Sequence, residues 1–464
     1  MRSVNERFAA ARRDDRGIGL PEMLVAMVIF TLISTSVLYG MLAVLQLSRE
    51  SRAMQVATNL ASEEIDVVRS ADDVFAIVDS TRDVQLNGDT FEITRTARWV
   101  SDPDIDLDCG SGGAPLRYKR VSVDVRWSNM RDTDDPVSSY TIITPRTRIN
   151  DPARGTILVS ALGAGGTGTA GAGVSVVPAS PSGGAEIPEE NPPATDTQGC
   201  SFALRLTPGN YVVSLSRAGY ISGDQVASPT RTVNVEASSS TSAGFLYDAA
   251  ARVTVNYASN RPATGPSPVL PNGMATSFVS SYGLYQDVAS TSSTTRSLDL
   301  FPFSSGYEVI PGAFSEPNDV NNGCRAVDPA AWEPLDEGAQ TLVGERAGPV
   351  AASPGDSAVI DVPMGIVDIR GGTPGRFLRA ESVNASGPGC EVTMNYTFDG
   401  QILPSNSGST VRVALPYGSW RLYSGGGGAQ NNPISGFFIT PVTRGDVGGT
   451  LPGVLTLDPR EVPQ

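Results

Sequence analysis

Residues 17–48 read GIGLPEMLVAMVIFTLISTSVLYGMLAVLQLS, and Glu22 is the only charge among them. The uncharged part, Met23–Ser48, is 26 residues long. As a helix it measures about 39 Å, against about 30 Å for the hydrocarbon core of a bilayer. The preceding residues 1–17 (MRSVNERFAAARRDDRG) set five arginines against Glu6, Asp14 and Asp15. Cations on that side of an apolar span keep it cytoplasmic and send the bulk of the chain outward. A secretory signal has a shorter apolar region, about 7–15 residues, closed by a small-residue cleavage site. This run is longer and no such site follows it. A plain single-pass anchor explains the length but not Glu22, because an unpaired carboxylate at that depth costs a few kcal/mol. Pro21 is tolerated because the first turn of a helix has no use for its missing N–H.

The helical pattern continues beyond the apolar run. Ala53, Val56, Ala57, Leu60, Ala61, Ile65 and Val68 recur at steps of three and four, with Glu50, Arg52, Glu63, Asp66 and Arg69 between them. That spacing makes an amphipathic helix with one face on a domain. A single helix from about Pro21 to Ser70 would be about 75 Å long.

Gly17-Ile18-Gly19-Leu20-Pro21-Glu22 before a long apolar helix resembles the class III signal of type IV prepilins. The resemblance covers residues 17–150. It implies cleavage by the prepilin peptidase between Gly17 and Ile18, N-methylation of Ile18, and a role for Glu22 as the carboxylate that meets a neighbouring subunit's N-terminal amine. Ile18 stands where phenylalanine is commoner. Gly19 and Pro21 bring the start nearer to minor pilins and pseudopilins than to major ones.

Composition removes most catalytic chemistry. The 464 residues contain no histidine, which excludes Ser-His-Asp and Cys-His catalysis and His-ligated metals. Lys119 is the only lysine. A phosphate-loop or Schiff-base lysine would have to be this residue, which lies in an alternating strand pattern. The formal charge is −15, and the chain from Ile18 onward sets 29 cations against 46 acids. Such a chain lacks the basic surface of general nucleic-acid binding. The sequence is read as non-catalytic and free of cofactors. The cysteines, Cys109, Cys200, Cys324 and Cys390, have no metal-site spacing. In an exported chain they allow two disulfides in three connectivities. Sequence proximity suggests Cys109 with Cys200 and Cys324 with Cys390.

After the helix the patterns are those of strands. Asn87-Gly88 between Val84–Leu86 and Phe91–Ile93 is a hairpin signal. Val121, Val123, Val125 and Trp127 alternate, and Tyr140–Thr147 reads as a further strand. Asp104, Asp106 and Asp108 fall at alternate positions in a loop and form a weak calcium candidate. The EF-hand spacing fails, because Cys109 and Pro115 stand where glycine and the bidentate glutamate are needed. Residues 153–248, with Leu206-Thr-Pro-Gly-Asn-Tyr and Ala218-Gly-Tyr, resemble the transthyretin-like (carboxypeptidase regulatory-like) module. Gly166-Thr-Gly168-Thr-Ala-Gly171 matches a dinucleotide fingerprint literally, but a strand-like segment follows it rather than a helix. Leu415-Pro-Tyr-Gly-Ser-Trp echoes Leu206-Thr-Pro-Gly-Asn-Tyr and points to a duplicated module. Asn384-Ala-Ser and Asn395-Tyr-Thr carry the glycosylation acceptor pattern.

The expected architecture is α+β, mainly β. A leader (1–17) precedes a long helix (18–70), membrane-spanning in its first half and packed on a small antiparallel sheet (71–152). Then come a β-sandwich (153–248), a β-rich region (249–363) and a sandwich-like C-terminal region (364–464). The expected role is a minor pilin or pseudopilin of a type IV pilus-related filament. Its partners would be other pilins through the helix, the prepilin peptidase and the assembly platform. Its large head would serve the tip, adhesion or assembly. It would sit in the cytoplasmic membrane with its bulk outside, or in an extracellular filament. The competing reading is a membrane-anchored surface protein whose sandwiches bind ligands or act as spacers.

Overall fold

The computed structural model describes residues 19–102, 105–107, 109, 116–130, 135–145, 151–288, 292–316, 323–450 and 452–462. The protein is mainly β, 44% strand against 15% helix, with one long helix at its N-terminal end. It divides into two compact units, one drawn from Met1–Val100 and Arg117–Thr147, the other from Ser101–Leu116 and Arg148–Gln464.

The first unit is built on α1, Leu20–Ser70, 51 residues without a break. Every residue of its first 30 is exposed. The second half buries Ala53, Ala57, Leu60, Ala61, Ile65 and Val68, the expected apolar stripe, against an antiparallel sheet. That sheet runs β1 (Ser80–Leu86), β2 (Asp89–Asp102), β4 (Tyr118–Trp127), β5 (Val137–Ile143); a short β3 (Ile105–Leu107) follows β2 in the chain. Asn87 and Gly88 both take positive φ, 54° and 85°, as a two-residue hairpin turn of the primed type requires. Val121, Val123 and Val125 are fully buried, and the intervening β4 residues are not. The strand expected at Tyr140–Thr147 lies instead at Val137–Ile143. Pro145 accounts for its early end, since it has no N–H to donate and it restricts the residue before it.

The second unit contains three β modules that share one corner device. Its first module has two sheets. One contains β6 (Gly155–Leu162), β8 (Cys200–Leu206), β10 (Tyr220–Ser222) and β12 (Ser240–Ala249); the other contains β7 (Gly173–Pro178), β9 (Gly209–Ser216) and β11 (Thr230–Val235). The second module opens on Ala251–Tyr257 and the third on Gly365–Arg370. In each, the opening residue pairs antiparallel with the leucine that ends a later strand: Gly155 with Leu206, Ala251 with Leu300, Gly365 with Leu415. The chain then turns a corner into the other sheet. A buried aromatic just past the corner donates a hydrogen bond to the carbonyl of the residue after that leucine. The three bonds are Tyr211 Oη to Thr207 (2.8 Å), Tyr307 Oη to Phe301 (2.7 Å) and Trp420 Nε1 to Pro416 (2.9 Å). The aromatic fills the core with its ring and satisfies its polar end locally, which suits Tyr and Trp. The corner itself needs glycine where the backbone turns: Gly209 and Gly418 have φ of 150° and 128°. A Cβ on Gly209 would lie 2.2 Å from the Ala185 amide. The echo between 206–211 and 415–420 is thus a shared device, and 300–307 uses it with a longer turn. A continuous apolar cluster from Val253 to Leu457 serves the second and third modules together, while the first keeps its own core.

The glycine-rich loop 163–171 is a structural element. Gly163 donates to the Thr167 carbonyl, and the Asp248 carboxylate accepts the Ala164 amide at 2.8 Å. A strand, β7, follows it. Asn384 uses both ends of its amide on the backbone of Cys390, at 2.7 and 3.0 Å, and so closes its own loop.

Candidate assembly helix and its clamp

Helical propensity alone does not hold α1 in water, because isolated helices draw their stability from packing. Its exposed half is apolar on all sides: Leu24, Val28, Phe30, Ile33, Leu38 and Leu45 are all more than half exposed. Three hydroxyl groups inside that run bond back to the helix backbone. Thr31 donates to Met27 (2.7 Å), Thr35 to Thr31 (2.8 Å) and Ser36 to Leu32 (2.8 Å). Hydroxyls met in this way add no hydrogen-bonding cost when the segment enters lipid or an apolar filament core. By length and composition this is the one helix among the described residues able to cross a membrane.

At its start, Gly19 is the N-cap and Pro21 lies in the first turn. The Glu22 carboxylate accepts the Gly19 amide at 3.3 Å, half of a capping box. The carboxylate therefore sits where the helix dipole favours negative charge. It is exposed and can also meet a cation from elsewhere. Gly17 and Ile18 lie outside the described residues.

At the other end, a buried carboxylate joins helix to sheet. Glu64 is 5% exposed and receives Arg95 Nη1 on one oxygen at 2.8 Å and Arg82 Nη2 on the other at 3.0 Å. Arg95 also donates to the Val78 carbonyl at 3.0 Å. Glu64 is not among the sequence-based candidates. A signal for it exists: it falls on the stripe with Leu60, Ala61, Ile65 and Val68, and a charge on an apolar stripe demands a partner. Where α1 leaves the sheet, Arg49 reaches Asp89 at 2.5 Å, and Asn129 donates to the same carboxylate at 2.8 Å. The Arg49 guanidinium holds the Asp89 carboxyl below its ordinary value near 3.8. A carboxylate with a lowered folded pKa adds stability above its unfolded value, and that stability is lost as pH falls through the folded one. As pH falls below about 4, the unfolding midpoint is therefore expected to drop less steeply in Asp89→Asn than in the parent chain, as an acid titration would measure.

Lys119 is 1% exposed, donates to the Ile77 carbonyl at 2.6 Å, and has its ammonium 5.3 Å from the Trp99 ring centre. It is a core cation of β4. Of the calcium candidates, Asp104 and Asp108 lie outside the described residues, and Asp106 is described only as backbone of β3. In the second unit Cys109 is bonded to Cys200 and Cys324 to Cys390. The first bridge ties the segment after β2 to the start of β8.

No protein-family model matches this sequence, and no curated protein does. Solved structures with some likeness include the TIE protein of Bacillus anthracis: 13% identity, TM-score 0.19, over 80% of this chain and 71% of that one. A streptococcal ancillary pilin matches at 11% identity and TM-score 0.20, over 61% and 80%. A variant of BcpA, the major pilin subunit of Bacillus cereus, matches at 11% identity and TM-score 0.19, over 67% and 96%. At such TM-scores nothing about this chain is inferred from them.

Proposed function

We propose that this chain is a non-catalytic minor pilin or pseudopilin of a type IV pilus-related filament. One observation carries the reading: a single 51-residue helix is apolar and uncovered in its first half, and packed on a small antiparallel sheet in its second. An anchor needs the first half only. A subunit that leaves the bilayer for a filament needs both, because the same helix must exchange lipid for neighbouring helices while it stays attached to its head. On this reading the prepilin peptidase cuts between Gly17 and Ile18, and the new α-amine of one subunit pairs with Glu22 of the next. Two opposite charges in a low-dielectric core attract strongly when paired and are costly when not, which makes the pair a register device. The three-module second unit is the head, outside the cytoplasmic membrane. Its bulk suits a tip or sparse position, with adhesion or assembly as its task.

Glu22→Ala is expected to leave the chain in the membrane fraction at parental level and to lower its recovery in sheared surface filaments by about tenfold or more. A pairing worth at least about 1.4 kcal/mol gives that factor. Immunoblots of both fractions measure it. Equal recovery of the variant would favour the anchored surface protein, in which Glu22 serves only as its own helix cap.

A further inference from the structure

We infer that the cleft between α1 and the Asn87-Gly88 hairpin holds the phosphate of an outer-leaflet phospholipid headgroup while the helix is in the membrane. The inference rests on the membrane-spanning reading of α1. The cleft, about 450 Å³, opens beside the end of the uncharged run. Leu45 and Ser48 line its lower part, Arg49 and Arg52 follow one helical turn later, and Asn87 and Asp89 of the hairpin face them. With Met23–Ser48, about 39 Å, centred on a hydrocarbon core about 30 Å thick, Arg49 comes to lie in the headgroup layer, about 5–7 Å deep, and Arg52 just beyond it, from where its long side chain reaches back into the layer. The hairpin tip then lies at that same depth.

The charges in the cleft are Arg49, Arg52 and Asp89, a net of +1. Asp89 is already met by Arg49 and by Asn129. Arg52 is exposed and, among the described residues, has no ion-pair partner. Glu50 lines the adjoining cleft beside Trp127, which shares Arg49, Ala53 and Asp89 with this one but not Arg52. An unspent guanidinium beside a serine hydroxyl and an asparagine amide offers the donor set of a phosphate monoanion. Leu45 continues the apolar surface on which an acyl chain lies. The rest of the molecule is strongly acidic and would be repelled by an anionic leaflet. One cationic cleft at headgroup depth compensates for this locally.

The test is native mass spectrometry of the delipidated full chain in detergent. It is titrated with phosphatidylglycerol, with phosphatidylcholine and with inorganic phosphate. The parent chain is expected to retain one phosphatidylglycerol. Arg52→Gln should lower that occupancy about fivefold and Arg52→Glu more, while Arg261→Gln, on the second unit, leaves it unchanged. Equal retention by Arg52→Gln overturns the proposal. So does inorganic phosphate that displaces the lipid at equal concentration, which would mark a general anion site. A lipid-excluding dimer would give the cleft to a second copy and overturn it likewise. A carbonate wash of native membranes distinguishes two kinds of failure: release of the chain would defeat the membrane reading itself, whereas a retained chain with an unaffected Arg52→Gln would defeat only the cleft.

Discussion

Glu64→Ala is expected to destabilise the helix–sheet unit by about 3–5 kcal/mol, the cost of breaking a buried ion pair from one side. The substitution leaves two guanidinium groups without their carboxylate. Arg82 is 45% exposed and regains water, so its share is small. Arg95 is 16% exposed, held by the Val78 carbonyl, and retains most of the loss. Glu64→Gln should cost less, because the amide oxygen still accepts one of the two. Urea unfolding of the full chain in detergent, followed by fluorescence of Trp99 in β2, measures both. A change below about 1 kcal/mol in Glu64→Ala would show that the clamp is a solvated surface pair.

The second large effect concerns the bridge between Cys109 and Cys200. It closes a loop of 91 residues that contains β4 and β5 of the first unit and β6 and β7 of the second. Chain-entropy reasoning assigns such a loop about 4–5 kcal/mol, and about 4 to the 66-residue loop closed by Cys324 and Cys390. Replacing Cys109 and Cys200 together by alanine is expected to remove that amount from the units the loop spans, with the second bridge left in place. Differential scanning calorimetry with and without reductant distinguishes them. A parental melting profile for the double variant would contradict the assignment.

Much of the first unit is legible in the sequence because each feature has a local cause. Twenty-six uncharged residues, a three-and-four stripe and an Asn-Gly turn each dictate an element without help from the rest of the chain. The stripe identifies the buried face of α1 residue by residue. The Glu64 clamp is not legible, since its partners Arg82 and Arg95 lie on other elements and no local pattern joins them. Reading a strand at Tyr140–Thr147 places it too late in the chain, because β propensity there outweighs Pro145, which the fold obeys. In the second unit the echo of 206–211 at 415–420 is visible. Its third occurrence, at 300–307, is hidden by a longer turn of Phe, Pro and Ser before Gly306. Only the hydrogen bond from Tyr307 to Phe301, one residue past Leu300, reveals it. Gly17 and Ile18 are features of sequence chemistry, read by an enzyme, and their proposed role rests on the resemblance alone.

The N-terminus of the native protein tests the central claim most directly. The α-amine is the informative group, since the only lysine is buried beside Trp99 and an amine-reactive label on the folded chain reports the N-terminus. Intact mass and N-terminal sequencing of material from membranes and from sheared filaments should give a chain that begins at Ile18, with or without one methyl group, in both fractions. A chain that begins at Met1 in the native host, absent from the sheared fraction, would contradict prepilin processing and leave a β-rich protein anchored by its first helix.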